Sequence, residues 1–295
     1  FPPMEGIHIH YVSNHNYFNI RQNYIKPHKP FATFSPLNFY EFIASKFGIF
    51  PEIETFSFRA YLKLKELLKI HKFDIIHDNQ SLGYGFLLIK QFGIPFISTI
   101  HHPLSIDRST WFEYPSDFRL KIKRVLYYPL IMQGFVARRM DHIITVSHDA
   151  AKEINRAFGV KHEKMSVVYN GLDTDFFKPL PHIKKKPNSV IFVGNVEDRK
   201  KGVVYLLKAM TLTKTKFHLT VVDGGAPNRM YVTKWIDKFG LNDRIHFTGK
   251  IPGEKLIELY ASHELAVSPS LYEGFGLPAA EAMACELPLI ASDGG

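Results

Sequence analysis

At 295 residues the chain is long enough for two domains of ~100–200 residues each, and its 45% hydrophobic and 14% aromatic content supports a substantial core. That composition excludes a disordered protein, while a single cysteine, Cys285, excludes an internal disulfide framework and a multi-cysteine zinc site. Lys and Arg number 37 against 28 Asp and Glu, a balance of +9 that favours anionic partners without choosing among them.

In chain order, Ile7–Ser13 has strand-like alternation. Ser35-Pro36 signals a helix start by cap chemistry and by proline in the first turn. Helices are predicted over Pro36–Phe47, Phe58–His71, Leu82–Phe92, Asp117–Met140 and His148–Phe158. Strands are predicted at Asp74–Asp78, Phe96–His101, His142–Ser147 and Ser166–Tyr169. The longest apolar stretch, Val125–Val136, is interrupted by Pro129, Gln133 and Gly134 and is shorter than the ~18–20 residues that span a bilayer.

Lys178–Asn188 carries three prolines and four lysines without apolar periodicity, which reads as a linker. It separates a first domain, residues 1–177, from a second, residues 189–295. Strands are then predicted at Ser189–Val193, Phe217–Val222, Arg244–Phe247, Leu265–Ser268 and Leu287–Ser292. Helices alternate with them at Val203–Leu212, Arg229–Phe239, Glu254–Ser262 and Leu277–Cys285. Short apolar runs alternating with helical segments make this an α/β chain of two doubly wound parallel sheets, whose ligands bind beyond the carboxyl ends of the strands.

Three loops follow strands of the second half. Gly194 to Gly202 places Arg199, Lys200 and Lys201 before a helix N-terminus, where free N–H groups already favour an anion. Val222-Asp223-Gly224-Gly225 is a weaker signal, since glycines also make ordinary turns. Pro269 to Glu281 sets Glu273, Gly274, Phe275 and Gly276 ahead of a helix opening at Leu277-Pro278. Glu281 lies among small apolar residues, where a carboxylate is costly unless it accepts hydrogen bonds; the vicinal hydroxyls of a ribose would supply two.

The pairing of Glu273 and Glu281 around Gly-Phe-Gly-Leu-Pro resembles the two-glutamate motif of retaining family 4 glycosyltransferases of the GT-B fold. The loop ending Lys201-Gly202 is similar to that family's phosphate loop. Val168–Pro179, Asp74–His77 and Ile94–His101 resemble its segments from about Asp74 onward. The resemblance implies two Rossmann-like domains facing a cleft, the first on the acceptor side and the second binding the donor. It implies transfer of a sugar from a nucleotide-diphosphate sugar to an acceptor hydroxyl with retention of configuration.

Residue by residue, the resemblance puts Lys201 on the donor diphosphate and Glu273 on the donor sugar. The N–H groups from Gly274 through Phe275 and Gly276 to Leu277 would bind sugar and phosphate, and Glu281 the ribose. His101, ending a first-domain strand, corresponds to a histidine directed at the transferred sugar. Asn195 stands where the family usually has arginine; Arg199 is the first candidate to replace that charge, having forked donors suited to phosphate. The remaining partner is a saccharide or lipid-linked acceptor.

No cofactor and no metal are expected. Asp173-Thr174-Asp175 has an Asp-x-Asp spacing, but lies in the segment that resembles the family's run before the linker. Gly83-Tyr84-Gly85 lacks the rest of a dinucleotide fingerprint, and nucleic acid has only net charge in its favour. Lys121–Arg124 and Arg138-Arg139 bracket Val125–Val136 and would suit peripheral contact with an anionic membrane if the acceptor were a lipid; a partly buried helix with charged ends is the plainer reading. A cytoplasmic location, peripheral at most to the inner membrane face, is expected, the single cysteine being consistent with a reducing compartment. A nucleotide-sugar epimerase on the same fold and a non-catalytic nucleotide-sugar binder are the alternatives. Against the family's pattern, the sequence reads as a fragment lacking segments at both ends.

Overall fold

The computed structural model describes residues 6–12, 35–46, 51–104, 130–224 and 229–294. The chain divides after Val168 into two compact units, 1–168 and 169–295.

In the first unit, helices α1 (Pro36–Lys46) and α2 (Glu52–Leu67) precede strand β1 (Ile76–Asn79). A 3-10 segment, Tyr84–Phe92, follows, then β2 (Phe96–Ile100), α3 (Leu130–Ala137), β3 (His142–Thr145), α4 (His148–Phe158) and β4 (Met165–Val167). The strands form one parallel sheet in the order β1-β2-β3-β4. Its core gathers Leu82, Phe86, Phe96, Ile143, Ile154 and Phe158. Helix α4 begins where Ser147 Oγ accepts the Ala150 N–H at 3.0 Å, a cap worth ~1 kcal/mol.

Four expectations are corrected here. Ile7–Val12 pairs with no strand among the described residues, and Ile7, Ile9 and Tyr11 are exposed; alternation makes a strand only where a ladder partner and a core face exist. Helix α2 starts at Glu52 instead of Phe58: Pro51 stands at its N-cap, and Glu52 and Glu54 suit the positive end of a helix dipole. The expected helix over Leu82–Phe92 is 3-10 and starts at Tyr84, pressed so closely on α2 that Gly85 N–H donates to Ser57 Oγ at 2.9 Å. The helix expected over Asp117–Met140 ends at Ala137; its part before Leu130, with Lys121–Arg124, falls in 105–129, outside the described residues.

The second unit contains β5 (Ser189–Val193), a 3-10 turn at Arg199–Lys201, α5 (Val203–Leu212), β6 (His218–Val222) and α6 (Met230–Phe239). It continues through β7 (Ile245–Phe247), α7 (Gly253–Ser262), β8 (Leu265–Ser268), α8 (Leu277–Ala284) and β9 (Leu289–Ala291). All pairings are parallel, in the order β7-β6-β5-β8-β9. Successive β5 residues serve opposite faces. Val190 and Phe192 join Leu206, Leu207 and Ile236; Ile191 joins Ile257, Tyr260 and Ala282. Both faces are therefore covered, as an all-parallel sheet requires.

The strand order runs from β5 through β6 to β7 on one side, and through β8 to β9 on the other. The direction of winding thus reverses between β5 and β8. Ligands of open α/β sheets bind at such a reversal, beyond the carboxyl strand ends. The loops there are 194–202 and 269–276. Ahead of this sheet, Phe177 and Leu180 pack on the same unit's core and Lys186 N–H donates to Ser262 O.

Candidate functional site

The two loops are joined backbone to backbone. Leu271 N–H donates to Lys200 O at 2.6 Å. Gly202 has φ +63°, and a Cβ placed on it would lie 1.9 Å from Pro269 O. Only glycine meets both the left-handed backbone and this closeness. Gly276, at φ +85°, likewise supplies the turn into α8.

Across this junction Lys201 Nζ donates to Glu273 Oε1 at 2.7 Å, with both side chains about one-fifth exposed. Ser270 Oγ donates to the same oxygen at 2.7 Å. Glu273 N–H donates to Gly294 O at 2.9 Å. Among the described residues Glu273 Oε2 takes no partner. Lys201 and Glu273, 72 positions apart, thus meet in one place. Gly274, Phe275, Gly276 and Leu277 lead from Glu273 into the start of α8, and the Phe275 ring lies 6.2 Å from that of Tyr169.

Glu281 sits one turn and a residue into α8, half-buried. Tyr260 Oη donates to its Oε2 at 3.0 Å. Burial pushes the Glu281 carboxyl above the usual carboxylate range, and the Tyr260 hydrogen bond opposes that rise. Cys285, one turn on, has its thiol pushed up to about 11 by burial and by the Glu281 charge, so it remains a thiol at neutral pH.

The rest of the cationic loop divides its charges between turn-making and stacking. Exposed Asn195 accepts the Glu197 N–H on Oδ1 at 3.0 Å. Glu197 Oε1 accepts the N–H groups of Tyr231 (3.1 Å) and Val232 (3.3 Å) at the N-terminus of α6. Asp198 caps its own turn by accepting the Lys200 N–H. The Arg199 guanidinium lies 4.3 Å from the centre of the Tyr231 ring. In the loop after β6, the buried Asp223 carboxylate is bidentate with Arg229, at 2.5 and 3.2 Å; 225–228 lie outside the described residues.

In the first unit, His101 stands at the end of β2. Its backbone N–H donates to Gln80 Oε1 at 2.6 Å, and Nε2 meets Asn79 Oδ1 at 2.9 Å. Burial, then the neighbouring His102, lowers its pKa, favouring the neutral ring. With Asn79 assigned as acceptor, Nε2 carries the proton and Nδ1 a lone pair. Gln80 and Leu82 hold positive φ of 60° and 51°, and strain of this kind in non-glycine residues clusters at functional sites. Arg138 and Arg139 are engaged locally, with Phe158 O and the Phe135 ring.

Among the described residues there is no group of three or more His, Cys, Asp or Glu placed to hold a metal ion. Among the same residues no helix is long and apolar enough to cross a membrane. Sequence reasoning assigned no role to Ser270, Tyr260, Glu197 or Asn79. Ser270 was findable, since Ser-x-x-Glu is the spacing of a serine that reaches a glutamate three residues on. The partners of the others lie 21 or more positions away, where no local pattern points.

Two family models match. Residues 7–176 match Glycosyltransferase Family 4 and residues 173–295 match Glycosyl transferases group 1. The chain belongs to glycosyltransferase family 4. This family 4 chain is 38% identical over 248 residues to the MMP alpha-(1->4)-mannosyltransferase of Mycolicibacterium hassiacum, covering 83% of the chain and 59% of that protein. It is 29% identical over 216 residues to the O-antigen chain mannosyltransferase RfbU of Salmonella typhimurium, covering 70% and 58%. The chain thus spans less than two thirds of either relative.

Among solved structures, sucrose-phosphate synthase from Thermosynechococcus elongatus superposes with a TM-score of 0.66 at 26% identity, over 83% of the chain and 62% of that protein. Anabaena Alr3699/HepE, solved with UDP and glucose, gives 0.61 at 23%, over 79% and 63%, and shares the fold. The architecture is GT-B, with a parallel α/β sheet in each unit.

Proposed function

We propose that this chain is a hexosyltransferase that moves a sugar from a nucleotide-diphosphate sugar to an acceptor hydroxyl with retention of anomeric configuration. The observation carrying this reading is that Glu273 and Glu281 are each held by one carboxylate oxygen only. The second oxygen of each is left for hydroxyl donors, which a sugar and a ribose provide.

In this reading the second unit binds the donor and the first serves the acceptor, with 178–188 between the sheet-bearing segments. Lys201 leaves Glu273 for the diphosphate and offsets the charge that develops on the leaving group. Arg199 adds a forked donor from the same loop, and Asn195 contributes an amide where a charge is usual in the family. The loop N–H groups from Gly274 to Leu277 take sugar and phosphate oxygens at the positive end of α8. The charge at the diphosphate is supplied by side chains, so this mechanism assigns no step to a metal.

Glu273 and Glu281 are both assigned to donor binding in this reading, so neither is offered as the nucleophile of a double displacement as in retaining glycosidases. A front-face displacement is the route that the family resemblance implies. The acceptor oxygen bonds to the anomeric carbon as the diphosphate oxygen leaves, and the leaving phosphate takes the acceptor proton. His101, neutral and with its Nε2 proton given to Asn79, accepts one hydrogen bond at Nδ1 from a hydroxyl of the sugar undergoing transfer. Mannose is the first sugar to test, since both relatives named above are mannosyltransferases.

The test is a nucleotide-sugar panel with an acceptor pool, read by product mass and by the anomeric coupling of the product. A glycosylated acceptor with the donor's configuration meets the expectation. An isomerised nucleotide-sugar, or an inverted product, refutes it.

A further inference from the structure

Tyr260 is 1% exposed and is among the largest fully buried side chains described. Its neighbours in the core beneath α7 and α8 include Ile191, Ile257, Ala266 and Ala282. A phenylalanine would fill this volume, so the hydroxyl needs its own account, since a buried O–H is retained at a cost unless it finds a partner. It has two acceptors within reach, Glu281 Oε2 at 3.0 Å and Pro278 O at 3.3 Å. A hydroxyl has one proton to give, and the carboxylate is the closer and the stronger acceptor.

The bond acts on one side of Glu281 alone. Oε2 faces the core and is taken; Oε1 has no partner among the described residues and is not among the buried orphan atoms. The side chain is therefore held by one oxygen, with the other left for a further donor. We infer that Tyr260 is a positioning residue for nucleotide binding, pinning Glu281 by one oxygen so that the other meets the vicinal diol of a ribose. This rests on Glu281 belonging to the donor site.

Burial raises the Glu281 pKa, and Tyr260 is the group that opposes it. The titratable groups acting there are Tyr260 from α7 and Cys285 on α8 itself, both neutral near pH 7 because their own pKa values are raised. Losing the hydroxyl moves the carboxyl further up, so the acid limb of nucleotide binding moves to higher pH.

The probes are UDP, GDP and ADP with their 2′,3′-dideoxy forms, titrated calorimetrically into the 295-residue chain from pH 5 to 8. The Tyr260→Phe variant should bind the preferred ribonucleotide about ten-fold more weakly, as for loss of support to a charged hydrogen bond. Its affinity for the dideoxy form should stay within about two-fold of the wild type, since that probe has no diol to lose. A variant damaged in its packing would lose both equally, and that outcome overturns the inference, as does unchanged ribonucleotide binding. Glu281→Gln, which keeps the shape, should show the same selective loss; an equal fold-loss for both forms, or no loss for either, also overturns the inference. If the wild type binds none of the three ribonucleotides, the donor-site reading falls first and this inference with it.

Discussion

The Lys201–Glu273 pair makes a quantitative prediction, because each residue holds the other. In the proposed function, a donor diphosphate draws Lys201 away from a 2.7 Å contact. A hydrogen bond to a charged group contributes about 1.5–3 kcal/mol. Against it stands the lost ion pair, about 0.2–1 kcal/mol for partners only partly shielded from water. Lys201→Ala should therefore weaken nucleoside diphosphate binding by a net ~0.5–3 kcal/mol, about 2- to 100-fold.

Glu273→Gln acts in the opposite direction on the same measurement. It removes the carboxylate that competes for Lys201, so diphosphate affinity should hold or rise by up to ~5-fold, while sugar transfer collapses. Calorimetric titration at low and moderate salt reads both. An unchanged dissociation constant for Lys201→Ala would refute the assignment. So would a Glu273→Gln variant that weakens nucleotide binding as much as Lys201→Ala does, since that would place Glu273 on the nucleotide.

Gly202→Ala must adopt φ +63° with a Cβ driven into Pro269 O, so the second unit should lose well over ~1 kcal/mol in a urea unfolding midpoint. Asn195→Arg should tighten diphosphate binding several-fold in the same titration; no change means that the side chain does not reach the phosphate. His263 is 2% exposed, bonded to Leu259 O and Thr220 Oγ1, and burial lowers its pKa. The unfolded chain therefore takes up the proton first. The stability contribution is present above ~6.5, the ordinary histidine value, and is lost as pH falls toward the folded value. Urea midpoints from pH 7.5 to 5 should decline accordingly, and His263→Gln should flatten the decline.

Elements bounded by turn chemistry were legible in the sequence. Ser189–Val193, Val203–Leu212 and Leu265–Ser268 fall where their apolar runs and flanking glycines, prolines or charges place them. Ile7–Val12 did not follow, because its alternation matches a strand but pairing depends on chain elsewhere. Glu52 was missed as a helix start because Ile53 is the only apolar residue in a first turn otherwise made of Glu52, Glu54 and Thr55, although Ile53 packs on the same core as Ala60 and Leu64. In the site, the loops were readable as glycine-rich turns after strands. What their side chains hold was not. The charge run of 197–201 is spent partly on capping α6, whose Tyr231 lies 34 positions from Glu197, and the Tyr260–Glu281 bond joins two helices that share no local pattern.

The bond from Leu271 N–H to Lys200 O and the fit of Gly202 under Pro269 O have a kinetic consequence. Two loops sewn together through main-chain atoms cannot close one at a time, as separate flaps would. Occupying either half of the site should damp the motion of both. Amide exchange would then slow together at 199–202 and 270–276 when a nucleoside diphosphate without its sugar is added. The empty second half would be made ready before any sugar arrives.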